Sequence, residues 1–426
     1  MQLIDIRNFT SITPAQRREW LSRPVLDTSL LEQKVADILL AVRDGGDEAV
    51  RNFTLQFDKV SLTDLKVSNE EIEKVEVSAE LRAAIHQAHG HIEAFHRVQY
   101  QSVEAVETMP GVRCWRKAVA IEKVGLYIPG GTAPLFSTLL MLGVPAKLAG
   151  CKEIVLCTPP DAGGRLHPAI LYAAKVVGVT RIYKVGGVQA IGAMAYGTET
   201  IPAVYKIFGP GNQYVTCAKQ LIQKDGIAID MPAGPSEVAV YADEHANPEF
   251  VAADLLSQAE HGPDSQVVLA CLSSRMAEQV QEAVQRQLLL LPRAEVAVRA
   301  LASSRVFIAK DAGQAMDMLN EYAPEHLILA CDDAAELAGQ VVNAGSVFIG
   351  HFSPESVGDY ASGTNHVLPT NGYARAYSGV SLDSFVKKIT FQQLSREGIR
   401  GIGPTVIEMA EAEGLRAHAN AVRVRM

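Results

Sequence analysis

The residues best equipped for chemistry fall in four separated places. Gln258 and His261 stand three apart, just ahead of Gly262-Pro263. On one helix running from Pro248 to a Gly-Pro stop they share a face of the last turn, where the carbonyl end of the dipole favours a cation. That spacing suits a metal site, although for the pair taken alone a surface Gln beside a C-capping His is the commoner arrangement. Ser353 to His366 gathers Glu355, Asp359, hydroxyls and His366 in a stretch dense in Gly and Ser, with Asp359 a hard oxygen ligand. Glu325 and His326 sit between an amphipathic helix and the apolar run Leu327 to Ala330. Neighbours on extended chain point to opposite sides, which predicts two separate proton-transfer groups rather than one dyad. Glu411, Glu413 and His418 lie in a polar stretch near the C-terminus, and spacing does not choose among them.

The elements that must position these groups read as alternating strands and helices. From Thr28 to Val103 the apolar spacing is helical, as in Val35, Ile38, Leu39 and Val42. Between Val124 and Val238, short β-rich runs end in glycines and open into helices: Val124 to Ile128 before Pro129-Gly130-Gly131, Arg181 to Val185 before Gly186-Gly187, and Lys206 to Phe208 before Gly209-Pro210-Gly211-Asn212. Such alternation implies βαβ units and a parallel sheet with ligands at the carboxyl ends of its strands. The glycines would let a phosphate approach helix N-termini, although the G-x-G-x-x-G fingerprint is missing. Tyr127, Gln189 and Asn212 accompany these turns; packing of Tyr127 in the core and helix capping by Gln189 and Asn212 are the competing readings.

A second α/β stretch includes Gln266 to Ala270, Arg305 to Ile308, His326 to Ala330 and Ser346 to Ile349. The expected fold is therefore α/β, with two Rossmann-like parallel-sheet domains and small N-terminal and C-terminal helical appendages. The partition is an arm over 1–25, a first domain formed by 26–123 with 238–381, a nucleotide-binding domain over 124–237, and a helical segment over 382–426. The last segment is too short for its own core and is expected to pack on a partner subunit.

With 426 residues, 48% hydrophobic and 20% charged, the chain is globular and long enough for two domains. A net charge of -9 argues against nucleic acid or anionic membranes as general partners. Six scattered cysteines without C-x-x-C spacing point away from a thiolate zinc site or a disulfide framework and fit a reducing cytosol. Asp5 and Arg7 interrupt the first apolar stretch, so a secretory signal is not expected, and Leu135 to Ala149 is too short to span a bilayer. The protein reads as cytoplasmic.

Seven strings in one order, Gly125 to Ser137, Phe208 to Asn212, Asp230 to Val238, Asp254 to Gln266, Pro324 to Leu327, Ser353 to Pro369 and Glu411 to Asn420, resemble the histidinol dehydrogenase family. The resemblance implies one Zn2+ per subunit held by Gln258, His261, Asp359 and His418, with NAD contacted by Tyr127, Gln189 and Asn212. Ser236, His366 and Glu413 would line the substrate pocket, completed by the metal ligands and His326. It further implies four-electron oxidation of L-histidinol to L-histidine through bound L-histidinal, with His326 taking the alcohol proton and Glu325 activating the hydrating water. A homodimer is implied, in which Glu413 and His418 enter the partner's cleft. The residues alone leave three alternatives: a related dehydrogenase for another small alcohol, a zinc hydrolase using Glu325, and a non-catalytic metabolite-binding protein.

Overall fold

A computed structural model describes residues 3–10, 12–23, 29–130 and 133–426. The expected domain boundary at 26, Thr28 and Gly131 of the first glycine turn lie outside the described residues. The strands in chain order are β1 (Asp5–Asn8), β2 (Val106–Met109), β3 (Val112–Ala120), β4 (Lys123–Tyr127), β5 (Glu153–Thr158), β6 (Arg181–Lys184), β7 (Lys206–Phe208), β8 (Ala228–Ile229), β9 (Glu237–Ala242), β10 (Gln266–Cys271), β11 (Arg305–Ile308), β12 (His326–Ala330), β13 (Ser346–Ile349) and β14 (Val386–Leu394).

Among the described residues, two of the three sheets are wholly parallel. One has the order β6-β5-β4-β7-β8, the other β1-β11-β10-β9-β12-β13. Numbered within each unit, both follow the 3-2-1-4-5 arrangement of dinucleotide-binding folds, with β1 added at one edge of the larger sheet. The expected pair of Rossmann-like sheets is thus present. Helices cover both faces, so strands such as β5 (Ile154, Val155, Leu156, Cys157) and β9 are apolar and buried along their length. Helix Phe136–Ala149 is apolar all round for a related reason: it lies between β4 and helix Ala79–Arg97, whose Ile85 and Ile92 join the same core.

Three boundaries differ from the sequence partition. The helices Ser29–Asp58 and Ala79–Arg97 pack chiefly on the five-stranded domain, where the stripe Leu31, Val35, Leu39 and Val42 meets Val188 and Ile191 and Ile85 and Ile92 meet helix Phe136–Ala149, although His91 also bonds the Ala361 carbonyl. Residues 5–8 are no loose arm, since β1 pairs in parallel with β11. The C-terminal segment is not purely helical: β14 runs antiparallel to β3 through nine residue pairs, and with β2 makes a third sheet. Its alternation is masked because Lys387, Ile389, Thr390 and Phe391 are all exposed, and Phe391 stacks on Trp115 across the strands. Helices Arg396–Ala412 and Arg416–Arg423 then pack chiefly on each other, leaving Met409 61% and Val424 69% exposed.

Candidate active site

Asn247 caps the helix Pro248–Ala259, its Oδ1 accepting from the Glu249 amide at 2.9 Å. The helix closes at Glu260, so His261 lies just beyond it rather than in the last turn, its N–H donating to the Gln258 carbonyl at 3.2 Å. Gln258 is buried; oriented to satisfy its neighbours, its amide nitrogen donates to the Glu355 carboxylate at 2.9 Å and its oxygen accepts from the Glu237 amide at 3.0 Å. An amide held this way keeps an oxygen lone pair for a ligand. His261 is open to solvent on one side, yet burial by the surrounding protein, reinforced by the charges of His326 and His366 against Asp359, pushes its pKa down and favours the neutral, ligating imidazole.

His326 begins β12 and is buried. Its Nδ1 lies 3.1 Å from the Glu237 carbonyl and 3.7 Å from Glu325 Oε2, and its Nε2 lies 3.3 Å from Asp359 Oδ1. Glu325 Oε2 in turn accepts from the Glu237 amide at 2.8 Å. The acid and the imidazole therefore do not diverge as alternation predicts. Glu325 precedes β12, after Ala323 at φ +54°, and both side chains converge on the backbone of Glu237.

Burial drives the Glu325 carboxyl up to about 8, against the pull of His326. Burial alone would lower His326, but Glu325, Asp359 and Glu355 outweigh it and hold the ring well above its ordinary value. Asp359 shows the mirror image: burial would raise it, and His326, His366 and His261 keep it low. His366 Nδ1 meets the Asp359 carbonyl at 2.7 Å and its Nε2 meets Thr138 Oγ1 at 3.0 Å, tying the loop to the helix of the five-stranded domain. Ser236 directly precedes β9, its carbonyl accepting from the Gln266 amide at 3.2 Å.

Glu237 and Glu355 carry much of this arrangement; the sequence showed Glu355 only as one of several carboxylates in its loop, and spacing did not single out Glu237 at all. Glu237 is locked by Arg23, whose guanidinium donates to both carboxylate oxygens and lies 4.0 Å from the Tyr322 ring centroid. An acid opening the otherwise apolar run Val238 to Ala242 is the signal that could have exposed it. Glu355 is pushed up to about 8, chiefly by burial, and accepts from Ser257 Oγ at 2.9 Å.

Glu413 and His418 are exposed on the C-terminal helices, and among the described residues no hydrogen bond or ion pair joins them to Gln258, His261, Asp359 or His326. A second cluster, Asp243, His245 and Asp332, has ligand atoms within 4.8 Å of one another. It follows the last residues of β9 and β12, whereas Glu237 and His326 begin those strands, so it occupies the opposite edge of the sheet.

At the carboxyl edge of the five-stranded sheet, Tyr127 is buried and its hydroxyl accepts from the Gly187 amide at 3.1 Å. Burial, with a smaller contribution from the Asp58 carboxylate, pushes its phenol up to about 12. Gln189 does not cap a helix: it is 1% exposed and neither amide atom has a partner. Asn212 does cap, accepting from the amides of Tyr214 and Val215. Of the turn glycines, Gly209 at φ +126° is needed because a Cβ would come within 2.0 Å of the Tyr127 carbonyl. Gly130 and Gly186 are instead filled by Pro159, which corrects their reading as openings for a ligand.

Two dinucleotide-type sheets, with an imidazole between carboxyl groups and an unpaired buried amide at the carboxyl edge of the smaller sheet, define a two-domain α/β enzyme of the dehydrogenase class. The family model for histidinol dehydrogenase matches residues 21–426. The chain belongs to the histidinol dehydrogenase family. It is 62% identical to histidinol dehydrogenase from Bacteroides fragilis, covering 97% of each chain, and 52% identical to that from Escherichia coli, covering 100% of this chain and 98% of the other. The crystal structure of histidinol dehydrogenase from Elizabethkingia anophelis superposes with a TM-score of 0.97 at 53% identity, covering 100% of this chain and 98% of that one.

Proposed function

We propose that the protein oxidises L-histidinol to L-histidine in two NAD-dependent steps through bound L-histidinal, with one Zn2+ per subunit, as the last steps of histidine biosynthesis. The observation carrying this is the buried pair Asp359 Oδ1 and His326 Nε2, 3.3 Å apart and outside hydrogen-bond alignment, with His261 and His366 near enough for their charges to act on Asp359 and Gln258 held beside Glu237. Two acceptors so placed call for a proton or a cation between or beside them. An amide oxygen, an imidazole and a carboxylate form a nitrogen and oxygen donor set that suits zinc. Zinc, when bound, would orient the alcohol and amine of the substrate; NAD, when bound, would accept hydride from the alcohol carbon.

The chain's own groups do the rest. With Nδ1 turned to the Glu237 carbonyl, His326 presents Nε2 to the cleft; the carboxyl groups around it give the ring a high proton affinity, and in its neutral form it takes the alcohol proton. Glu325, raised by burial, holds or releases a proton near neutral pH and serves the hydration of the aldehyde. His366, fixed at both nitrogens, shapes the floor together with Ser236. Tyr127, Gln189 and Asn212 would receive NAD at the neighbouring sheet edge.

The exposed Glu413 and His418, on an arm with uncovered apolar side chains, support a homodimer in which each arm completes the other subunit's site. The six unpaired cysteines, together with the absence of any described helix long and apolar enough to cross a membrane, support a cytoplasmic setting. Purified protein with histidinol and NAD should yield two NADH per substrate, and none after chelation. Turnover confined to another alcohol would favour a related dehydrogenase, and product without NADH a hydrolase.

A further inference from the structure

Helix Ser29–Asp58 lies on the same face of the five-stranded sheet as Tyr127 and helix Gly187–Tyr196. The segment after this helix fixes Asp58 at the carboxyl edge of that sheet. Lys59 turns the chain at φ +60°, and residues 65–67 then run back along β6: the Lys184 amide donates to Leu65 at 2.7 Å, Lys66 bridges Tyr183 in antiparallel sense, and the Val67 amide donates to Ile182 at 2.9 Å. Asp58 therefore stands beside the edge where Tyr127 and Gln189 stand. Its Oδ2 is buried without a partner, as are both amide atoms of Gln189. Buried polar atoms are normally satisfied, and unsatisfied ones grouped at a sheet's carboxyl edge mark where a ligand's polar groups belong.

Beyond the second strand, where dinucleotide folds commonly supply a ribose-binding acid, the nearest carboxylate is engaged with its own loop. β5, the second strand of its unit, ends in Thr158-Pro159-Pro160, and the next acid, Asp161, uses Oδ1 on the amides of Gly163 and Arg165. We propose that Asp58, supplied from the preceding helix, accepts the hydroxyls of an NAD ribose and thereby disfavours a 2′-phosphate. This rests on the NAD reading above. A carboxylate accepts from a cis-diol without meeting a like charge, whereas a phosphate ester at the same place is repelled and offers no hydroxyl donor.

The test is direct titration of NADH and NADPH fluorescence on the intact protein, native and with Asp58→Asn or Asp58→Ser, alongside KM for NAD and for histidinol. NADH binding in both variants should weaken about tenfold or more, the NADH to NADPH preference should shrink by a similar factor, and KM for histidinol should stay put. Unchanged NADH affinity and preference in a variant with native melting temperature would overturn the role of Asp58. Should one variant fail to fold, the other decides. Failure of the native protein to bind NADH at all would instead sink the NAD reading itself.

Discussion

His326 spans the site: its Nδ1 stands 3.1 Å from the Glu237 carbonyl while its Nε2 stands 3.3 Å from Asp359 Oδ1. The first contact fixes Nδ1 as a hydrogen donor, and the second fixes where Nε2 points. His326→Asn keeps a polar side chain there but removes the base. We expect kcat to fall by roughly 10²–10⁴-fold, with zinc content and NADH binding retained. Near-native turnover would remove His326 from proton transfer.

Glu325→Gln should separate the two half-reactions. The Gln side chain can still accept from the Glu237 amide, so the local backbone is kept. Alcohol oxidation should continue for one turnover, while oxidation of supplied histidinal should drop by roughly 10²-fold or more. Equal loss in both halves, measured by single-turnover NADH formation, would contradict separate roles.

Subunit sharing can be read by complementation. Proteins carrying His261→Ala and His418→Ala should each be inactive and low in zinc. In statistically mixed dimers, half are mixed and each of these holds one intact site, giving about a quarter of native activity. Persistent inactivity of the mixture, with mixed dimers verified by mass, would place His418 outside the partner's cleft.

Asp254, one turn before Gln258 on the same helix, offers a stability test. Burial raises its carboxyl from 3.8 to about 7. The native state thus retains a proton that the unfolded chain has released. That contribution is whole at low pH, declines once pH passes the ordinary value near 3.8, and is gone by about 7. Asp254→Asn removes the penalty, so at pH 8 it should be more stable than the native protein by roughly 1–3 kcal/mol, with little difference at pH 4. Urea unfolding at the two pH values measures this, and an equal change at both would refute it.

Much of the fold was legible because parallel strands buried on both faces, such as β4, β5 and β9, read as continuous apolar runs closed by turns. Strand β14 was not, since a two-faced exposed strand has no apolar side to show. The pairing of residues 29–97 with the five-stranded sheet is a long-range matter of which apolar stripe meets which helix, and local spacing carries no information about it. At the site, Gln258, His261, Asp359 and His326 were readable as capable groups. Their meeting depends on Glu237, whose main chain and carboxylate join residues as distant as Arg23, Gln258 and Glu325. The approach of Glu325 to His326 was hidden because alternation holds only inside a strand, and Glu325 stands one residue outside.

The ladder between β3 and β14 joins the early middle of the chain to nearly its last residues. During synthesis β3 has only its short neighbour β2 to pair with until residues 386–394 have been made, and closing so distant a contact is slow. The three-stranded sheet is accordingly a late piece to assemble, because the strand that completes it is made long after the one it pairs with.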